Sequence, residues 1–335
     1  MLERILGNLK AKQDLCSSEA ESCLEEMLQE NVTDAQRMEI MGALADKGET
    51  PEEIAAFAKV LRKHWISTEI NSPAVDLCGT GGSNLVRYNV STTVAFVLAS
   101  GGFPVAKHGN RGSKTNNGSF DFLETLGIDI DVSPTREVEL FEKFQLCFLF
   151  ARAHHPAMKT LGPARVQLGR RSIFNLIGPL CNPASVDYQI VGVSDPKLGP
   201  KMIQVLKQLG KKRAMVVWGE PGIDECSTCG SSTYWLLDQG KISEFKIDLD
   251  DLGIEKGDFE SFPRGDCLDN AETFYRLLNG ESCSGLLDMI ALNAGAAIFV
   301  LERAESIKAG FEIAKELLVS GKTKDYFESY PKTSK

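Results

Sequence analysis

The stretch VDLCGTGGSNLVRYNVSTTVAF, residues 75–96, begins as a short apolar run, stops on Gly79-Thr80-Gly81-Gly82 and resumes as a helix start at Asn89-Val90-Ser91-Thr92. An apolar run that ends in glycines and gives way to helical spacing is a strand feeding a helix, the repeating unit of a parallel sheet. Glycines let backbone N–H groups approach an anion, and a helix start adds unpaired N–H donors and the positive end of its dipole. The spacing matches neither the dinucleotide fingerprint nor the P-loop, whose terminal Gly-Lys-Ser/Thr is absent. Read alone, the turn is as readily a plain turn as an anion cradle.

The same rhythm extends on both sides. From residue 74 the runs AVDLC, VAFVLAS, FPVAK, DFLETLG, CFLFA, YQIVGV, MIQVLKQLG and AMVVWG follow one another, an alternation that predicts an α/β fold with a mostly parallel central sheet flanked by helices. STYWLLD and ISEFKID flank Gln239-Gly240 as a hairpin, and two helices are expected to close the chain. Residues 156–185, punctuated by Pro163, Gly178 and Pro179, read as a helical excursion that packs on the N-terminal segment. That segment is helical by pattern. Ser18-x-x-Glu21, Thr33-x-x-Gln36 and Thr50-x-x-Glu53 have the form of capping boxes, and each precedes an apolar stripe at helical spacing. The expected organisation is a small helical domain over residues 1–70, with a face left for dimerisation, and an α/β domain over 71–335.

Composition excludes several functions. The 335 residues are 43% hydrophobic and carry a net charge of −9, which opposes a polyanionic nucleic acid as the main partner. The N-terminus MLERILGNLKAKQD has no apolar targeting core, and no uncharged apolar run is long enough to span a membrane, so a cytoplasmic protein is expected. Nine cysteines at irregular spacing read as reduced thiols. Cys226-x-x-Cys229 has no second pair to complete a zinc site.

Charge is unevenly spread. Of 46 acids, none falls in residues 77–120 or 143–186, yet the first window holds Arg87, Lys107, Arg111 and Lys114, and the second Lys143, Arg152, Lys159, Arg165, Arg170 and Arg171 beside His154 and His155. Cationic islands in an acidic protein indicate a compact anionic ligand in a focused field. The loop KHGNRGSKTNNGSFD, residues 107–121, follows a predicted strand. It sets Lys107, Arg111 and the amides of Asn110, Asn116 and Asn117 at the carboxyl edge of the sheet, where parallel sheets bind ligands.

Taken in order, GTGG…NVST, KHGNR with GSFDFLETLG, HHPAMK…LGRRSIFNLIGPLCNP, GIDE and LNAGAAIFV resemble the anthranilate phosphoribosyltransferase family, from residue 2 to about residue 328. The resemblance implies a class III phosphoribosyltransferase fold with a cleft between its two domains, and a homodimer. The implied reaction moves a phosphoribosyl group from 5-phosphoribosyl 1-diphosphate (PRPP) to the anthranilate amine, with Mg²⁺ as cofactor. On this resemblance Gly79, Gly82, Ser83, Arg87, Asn89, Val90, Ser91 and Thr92 contact the donor. So do Lys107, His108, Gly109, Asn110, Arg111, Gly112, Ser113, Lys114 and Thr115, with Ser119. Gly79, His108, Asn110, His155 and Arg165 face anthranilate, while Ser91, Asp224 and Glu225 hold the metal. Lys107, Ser91 and Glu225 carry the catalytic step, in which pyrophosphate departs as the ribose carbon becomes positive; no covalent nucleophile is assigned.

Four departures from the family pattern stand out. Ser83 stands where an acid is usual, Arg87 replaces a small hydroxyl residue, Lys114-Thr115-Asn116-Asn117 replaces a serine-rich stretch, and Trp218 and Pro221 replace polar residues. The donor site is the more positive for it. Two other functions share the architecture: a transferase or nucleoside phosphorylase acting on another aromatic or pyrimidine substrate, and a catalytically silent relative that binds nucleic acid.

Overall fold

The computed structural model describes residues 1–81, 85, 87–112, 117–281 and 285–333. The chain starts with four helices, α1 (Leu2–Lys10), α2 (Ser17–Met27), α3 (Asp34–Lys47) and α4 (Pro51–Lys63). Thr33 and Thr50 cap α3 and α4 as full capping boxes with Gln36 and Glu53. The box expected at Ser18–Glu21 lies two residues earlier. Glu19 reaches back to the Cys16 N–H at 3.3 Å, and Glu21 instead pairs with Lys63. The cap residue is a cysteine, so a pattern that looks for a hydroxyl three residues before an acid passes over it.

The α/β part continues with β1 (Val75–Gly79), α5 (Val90–Ser100), β2 (Val105–Gly109), α6 (Ser119–Thr125), α7 (Pro134–Phe144), β3 (Leu146–Phe150), α8 (Ala151–His154), α9 (Ala157–Leu168) and α10 (Ile173–Ile177). Then follow β4 (Tyr188–Gly192), α11 (Gly199–Gln208), β5 (Arg213–Gly219), β6 (Ser232–Asp238) and β7 (Lys241–Ile247). The described strands form one seven-stranded sheet in the order β3-β2-β1-β4-β5-β6-β7. The first five are parallel; β6 and β7 add an antiparallel hairpin whose turn residues Gln239 and Gly240 have φ of 47° and 76°. Two consecutive positive φ values match the right-handed twist of the strands that the turn joins.

Strand periodicity divides the apolar side chains between two cores. In β5, Met215 and Val217 face a cluster with α5 and the C-terminal helices, while Ala214 and Val216 face one that includes the N-terminal helices, α9, α10 and α11. Phe57 of α4 meets Phe174 of α10 with ring centroids 6.0 Å apart. Four helices rather than two occupy the described C-terminal part beyond the short α12 (Leu249–Leu252): α13 (Cys267–Leu278), α14 (Leu286–Val300), α15 (Ile307–Val319) and α16 (Lys322–Ser329). Gly295 and Gly310 let α14 and α15 touch backbone to backbone, since a Cβ on Gly295 would overlap the Phe311 nitrogen. Among the described residues no helix is long and apolar enough to cross a membrane, and no disulfide joins the described cysteines.

Candidate active site

Each parallel strand nearest the centre ends on glycine: Gly79 in β1, Gly109 in β2, Gly192 in β4 and Gly219 in β5. Gly79 and Gly192 are register partners on adjacent strands. Here the connections diverge, β1 towards β2 and β4 towards β5, which opens the crevice where doubly wound sheets bind ligands. Asp224 sits directly on this point. A Cβ on Gly79 would overlap its carboxylate, and one on Gly192 would overlap its carbonyl oxygen. Asn293 of α14 fixes the same loop by accepting from the Cys226 N–H and donating to the Cys226 carbonyl, both at 2.8 Å. The LNAGAAIFV segment thus contributes an amide that imitates a backbone partner.

Lys107, 2% exposed in β2, donates to the Leu77 carbonyl at 2.5 Å and to Ser91 Oγ at 3.2 Å. Burial lowers its pKa, opposed first by the Asp76 carboxylate. Asp76 is itself fully buried and accepts from the His108 N–H at 3.0 Å and from Gln189 Nε2 at 3.1 Å. Arg87 ion-pairs with Asp224 and, at 3.3 Å, with Glu225. Burial opposes the Arg87 charge, but Asp224 and Glu225 hold its pKa above the ordinary value. Burial pushes Glu225 up to about 7, with Arg87 pulling the other way.

The two glycine-rich segments are tied together. Asn89 donates through Nδ2 to Asn117 Oδ1 at 2.8 Å, and its N–H donates to Asn270 Oδ1 at 2.7 Å. Asp121 closes the base of the second loop, its Oδ2 accepting from Gly112 N–H at 2.7 Å and Gly118 N–H at 2.9 Å. This explains the single acid that ends the cationic stretch. Ser119 Oγ donates to the Asn110 carbonyl at 3.3 Å, and Asn110 is exposed with its Oδ1 accepting from the Arg111 N–H. The Arg111 guanidinium turns away to Asp121 and Glu124 of α6, so its charge is neutralised by the helix that follows the loop. Val90 and Thr92 are buried in α5, and the Thr92 hydroxyl has no hydrogen-bond partner among the described residues. Gly82, Ser83, Ser113, Lys114, Thr115 and Asn116 lie outside the described residues.

On the helical side of the cleft, His108 and His155 meet with Nε2 atoms 3.2 Å apart. Burial drives both pKa values down, His155 to about 4 and His108 well below its ordinary value. Arg165 of α9 is half-buried over the Phe174 ring at 5.8 Å, and it has no ion-pair partner among the described residues.

Residues 71–324 match the model of the glycosyl transferase family α/β domain, and residues 3–65 match that family's helical bundle domain. Anthranilate phosphoribosyltransferase of Methanocorpusculum labreanum is 42% identical over 96% of this chain and 94% of its own length. That of Streptococcus pneumoniae serotype 19F is 41% identical over 96% of both. The chain belongs to the anthranilate phosphoribosyltransferase family. The crystal structure of the family member from Thermus thermophilus superposes with a TM-score of 0.90 at 36% identity, covering 97% of each chain. The Saccharomyces cerevisiae family member in complex with PRPP and Mg superposes with a TM-score of 0.89 at 25% identity, covering 98% of this chain and 96% of its own.

The donor set of this anthranilate phosphoribosyltransferase family member suits a hard cation that shares its coordination with phosphate and water. Ser91, Asp224 and Glu225 offer only oxygen, the buried Asp224 Oδ1 and Glu225 Oε2 are matched among the described residues by the Arg87 guanidinium alone, which marks them as a site for positive charge, and no cluster of three or more His, Cys, Asp or Glu occurs among the described residues. Gly192, Asp121 and Asn270 were not singled out from sequence. Gly192 had a signal, because YQIVG ends on glycine as VDLCG does. Asn270 had none: it lies in an ordinary amphipathic helix and reaches Asn89 only through the fold.

Proposed function

We infer that the protein transfers the phosphoribosyl group of PRPP to the amine of anthranilate, releasing pyrophosphate and giving N-(5-phosphoribosyl)anthranilate for tryptophan biosynthesis. The observation that carries this reading is Asp224 seated across Gly79 and Gly192, with Glu225, the Lys107–Ser91 pair and two glycine-rich segments gathered around it. Ser91, Asp224 and Glu225 would hold Mg²⁺, which when bound offsets charge on the departing pyrophosphate. Lys107 supplies a fixed positive charge that needs no reorganisation as the leaving group gains charge. The α5 start presents backbone N–H groups to the donor phosphates. Arg165 takes the anthranilate carboxylate, since it is a partly desolvated cation with no counter-ion among the described residues. Asn110 receives the amine, and the uncharged His108–His155 pair lines the aromatic site.

The remaining assignments belong to the same proposal. Residues 1–70 form the dimerisation unit of a cytoplasmic homodimer, 71–335 form the catalytic domain, and the excursion at 156–185 joins the two. The deciding assay incubates the protein with PRPP, Mg²⁺ and anthranilate. The expected result is loss of anthranilate fluorescence matched one-for-one by pyrophosphate. No consumption of anthranilate, with other benzoates or nucleosides converted instead, would refute it.

A further inference from the structure

Asp224 and Glu225 are adjacent in sequence, their side chains are 3% and 12% exposed, and both stand within ion-pair range of one Arg87 nitrogen. Two neighbouring carboxylates withdrawn from water demand a cation, because removing the counter-charge from a buried ion group leaves an uncompensated charge. Here the protein supplies the cation itself. Arg87 arrives from the segment before α5, which carries Ser91, and Asn117 Nδ2 fixes its backbone by donating to the Arg87 carbonyl at 3.2 Å. Only the side chain must move for the guanidinium to leave, since its one described anchor at the tip is the carboxylate pair.

A guanidinium and a divalent cation compete for the same oxygens. Hard divalent ions take carboxylate oxygen at close range, and a second positive charge beside them is repelled in a medium of low dielectric. We propose that Arg87 is a tethered counter-cation of Asp224 and Glu225, so that the substrate-free protein takes up divalent metal at these carboxylates only weakly. Metal arriving with the donor diphosphate then displaces the guanidinium, which turns toward the added phosphate charge. The inference rests on the assignment of Asp224 and Glu225 to the metal in the proposed function. It makes Arg87 a determinant of the order of binding, donor and metal together rather than metal first.

Mn²⁺ binding to the full chain without substrate, followed by electron paramagnetic resonance, tests this. Arg87→Gln should bind Mn²⁺ at least tenfold more tightly than the unaltered protein, and adding Asp224→Asn should abolish the gain. If Arg87→Gln does not fold, Arg87→Lys keeps a positive charge near the carboxylates but cannot bridge them with a planar fork; a smaller gain of the same sign is expected. Equal Mn²⁺ affinity in the unaltered protein and the folded variants would overturn the competition, as would absence of Mn²⁺ binding in all of them. Those results leave the transferase reading standing wherever anthranilate is still consumed with Mg²⁺ and PRPP. Failure of that assay, in turn, does not alter the Mn²⁺ titration.

Discussion

Acid should loosen this protein through His155. Its ring is 8% exposed, meets His108 Nε2 at 3.2 Å and faces the Trp65 ring with centroids 6.4 Å apart. The charged neighbours that bear on the pair are His154, next along the chain, and Lys107, which adds positive charge beside His108. A contact between two Nε2 atoms needs one N–H and one lone pair, so it does not survive with both rings doubly protonated. Burial first, and His154 second, lower the His155 pKa from 6.5 to about 4. The folded state therefore binds fewer protons than the unfolded state between these values, and stability falls as pH falls through that window. For one histidine the loss between pH 7 and pH 5 is about 2 kcal/mol. His108 contributes in the same direction. His154 opposes them: burial works to lower its pKa, but the Glu137 hydrogen bond and charge, with the Ile66 carbonyl, together outweigh it, so the net shift is upward. Its contribution is complete below the unfolded value and fades as pH rises through the folded one. Urea unfolding between pH 5 and 8 should show the unaltered protein losing about 2 kcal/mol more on going from pH 7 to pH 5 than His155→Gln does. Parallel pH profiles for the two proteins would refute the assignment of a neutral, buried His155.

Gly79→Ala should abolish more than half of the activity while leaving the fold intact, because the new methyl displaces Asp224 from the switch point; a crystal structure showing Asp224 unmoved with activity retained would contradict this. Arg165→Ala should raise the anthranilate KM by a factor that corresponds to a charge-assisted contact of roughly 1.5–3 kcal/mol, with the PRPP KM unchanged. Should the PRPP KM rise instead, Arg165 serves the other half of the cleft. Asn293→Leu strands the Cys226 N–H and carbonyl, at a cost of about 1–3 kcal/mol for each unpaired group. Thermal unfolding and metal binding should both weaken, and a Tm matching the unaltered protein would show that the loop is held by other contacts.

The strands, the hairpin and the two Thr-capped helices were legible along the chain because each depends on residues a few positions apart. Alternation decides a strand, and a hydroxyl with its partner three residues on decides a cap. Helix α7 carried the same kind of signal, with Ser133 as its cap and Pro134 in its first turn, but its residues are too polar to stand out as an apolar run. Site chemistry was legible where composition was unusual: the acid-free windows and glycine-rich turns pointed to an anion. Family resemblance, rather than spacing, attached anthranilate and magnesium to them.

What no local pattern contained is which charges meet. Arg87 and Arg111 read as two equivalent cations beside glycine loops, yet Arg111 is neutralised by Asp121 and Glu124 of the neighbouring helix, whereas Arg87 crosses to Asp224 and Glu225. His108 and His155 were separate histidines until β2 and the residue that follows α8 came within 3.2 Å. The sequence by itself determined the elements, their order and the sign of the field at the sheet edge, since those follow from neighbours and composition. The tertiary structure decided pairing and protonation, because a Coulomb interaction and a desolvation cost depend on distance and burial in space, and only the packing of strands and helices sets both.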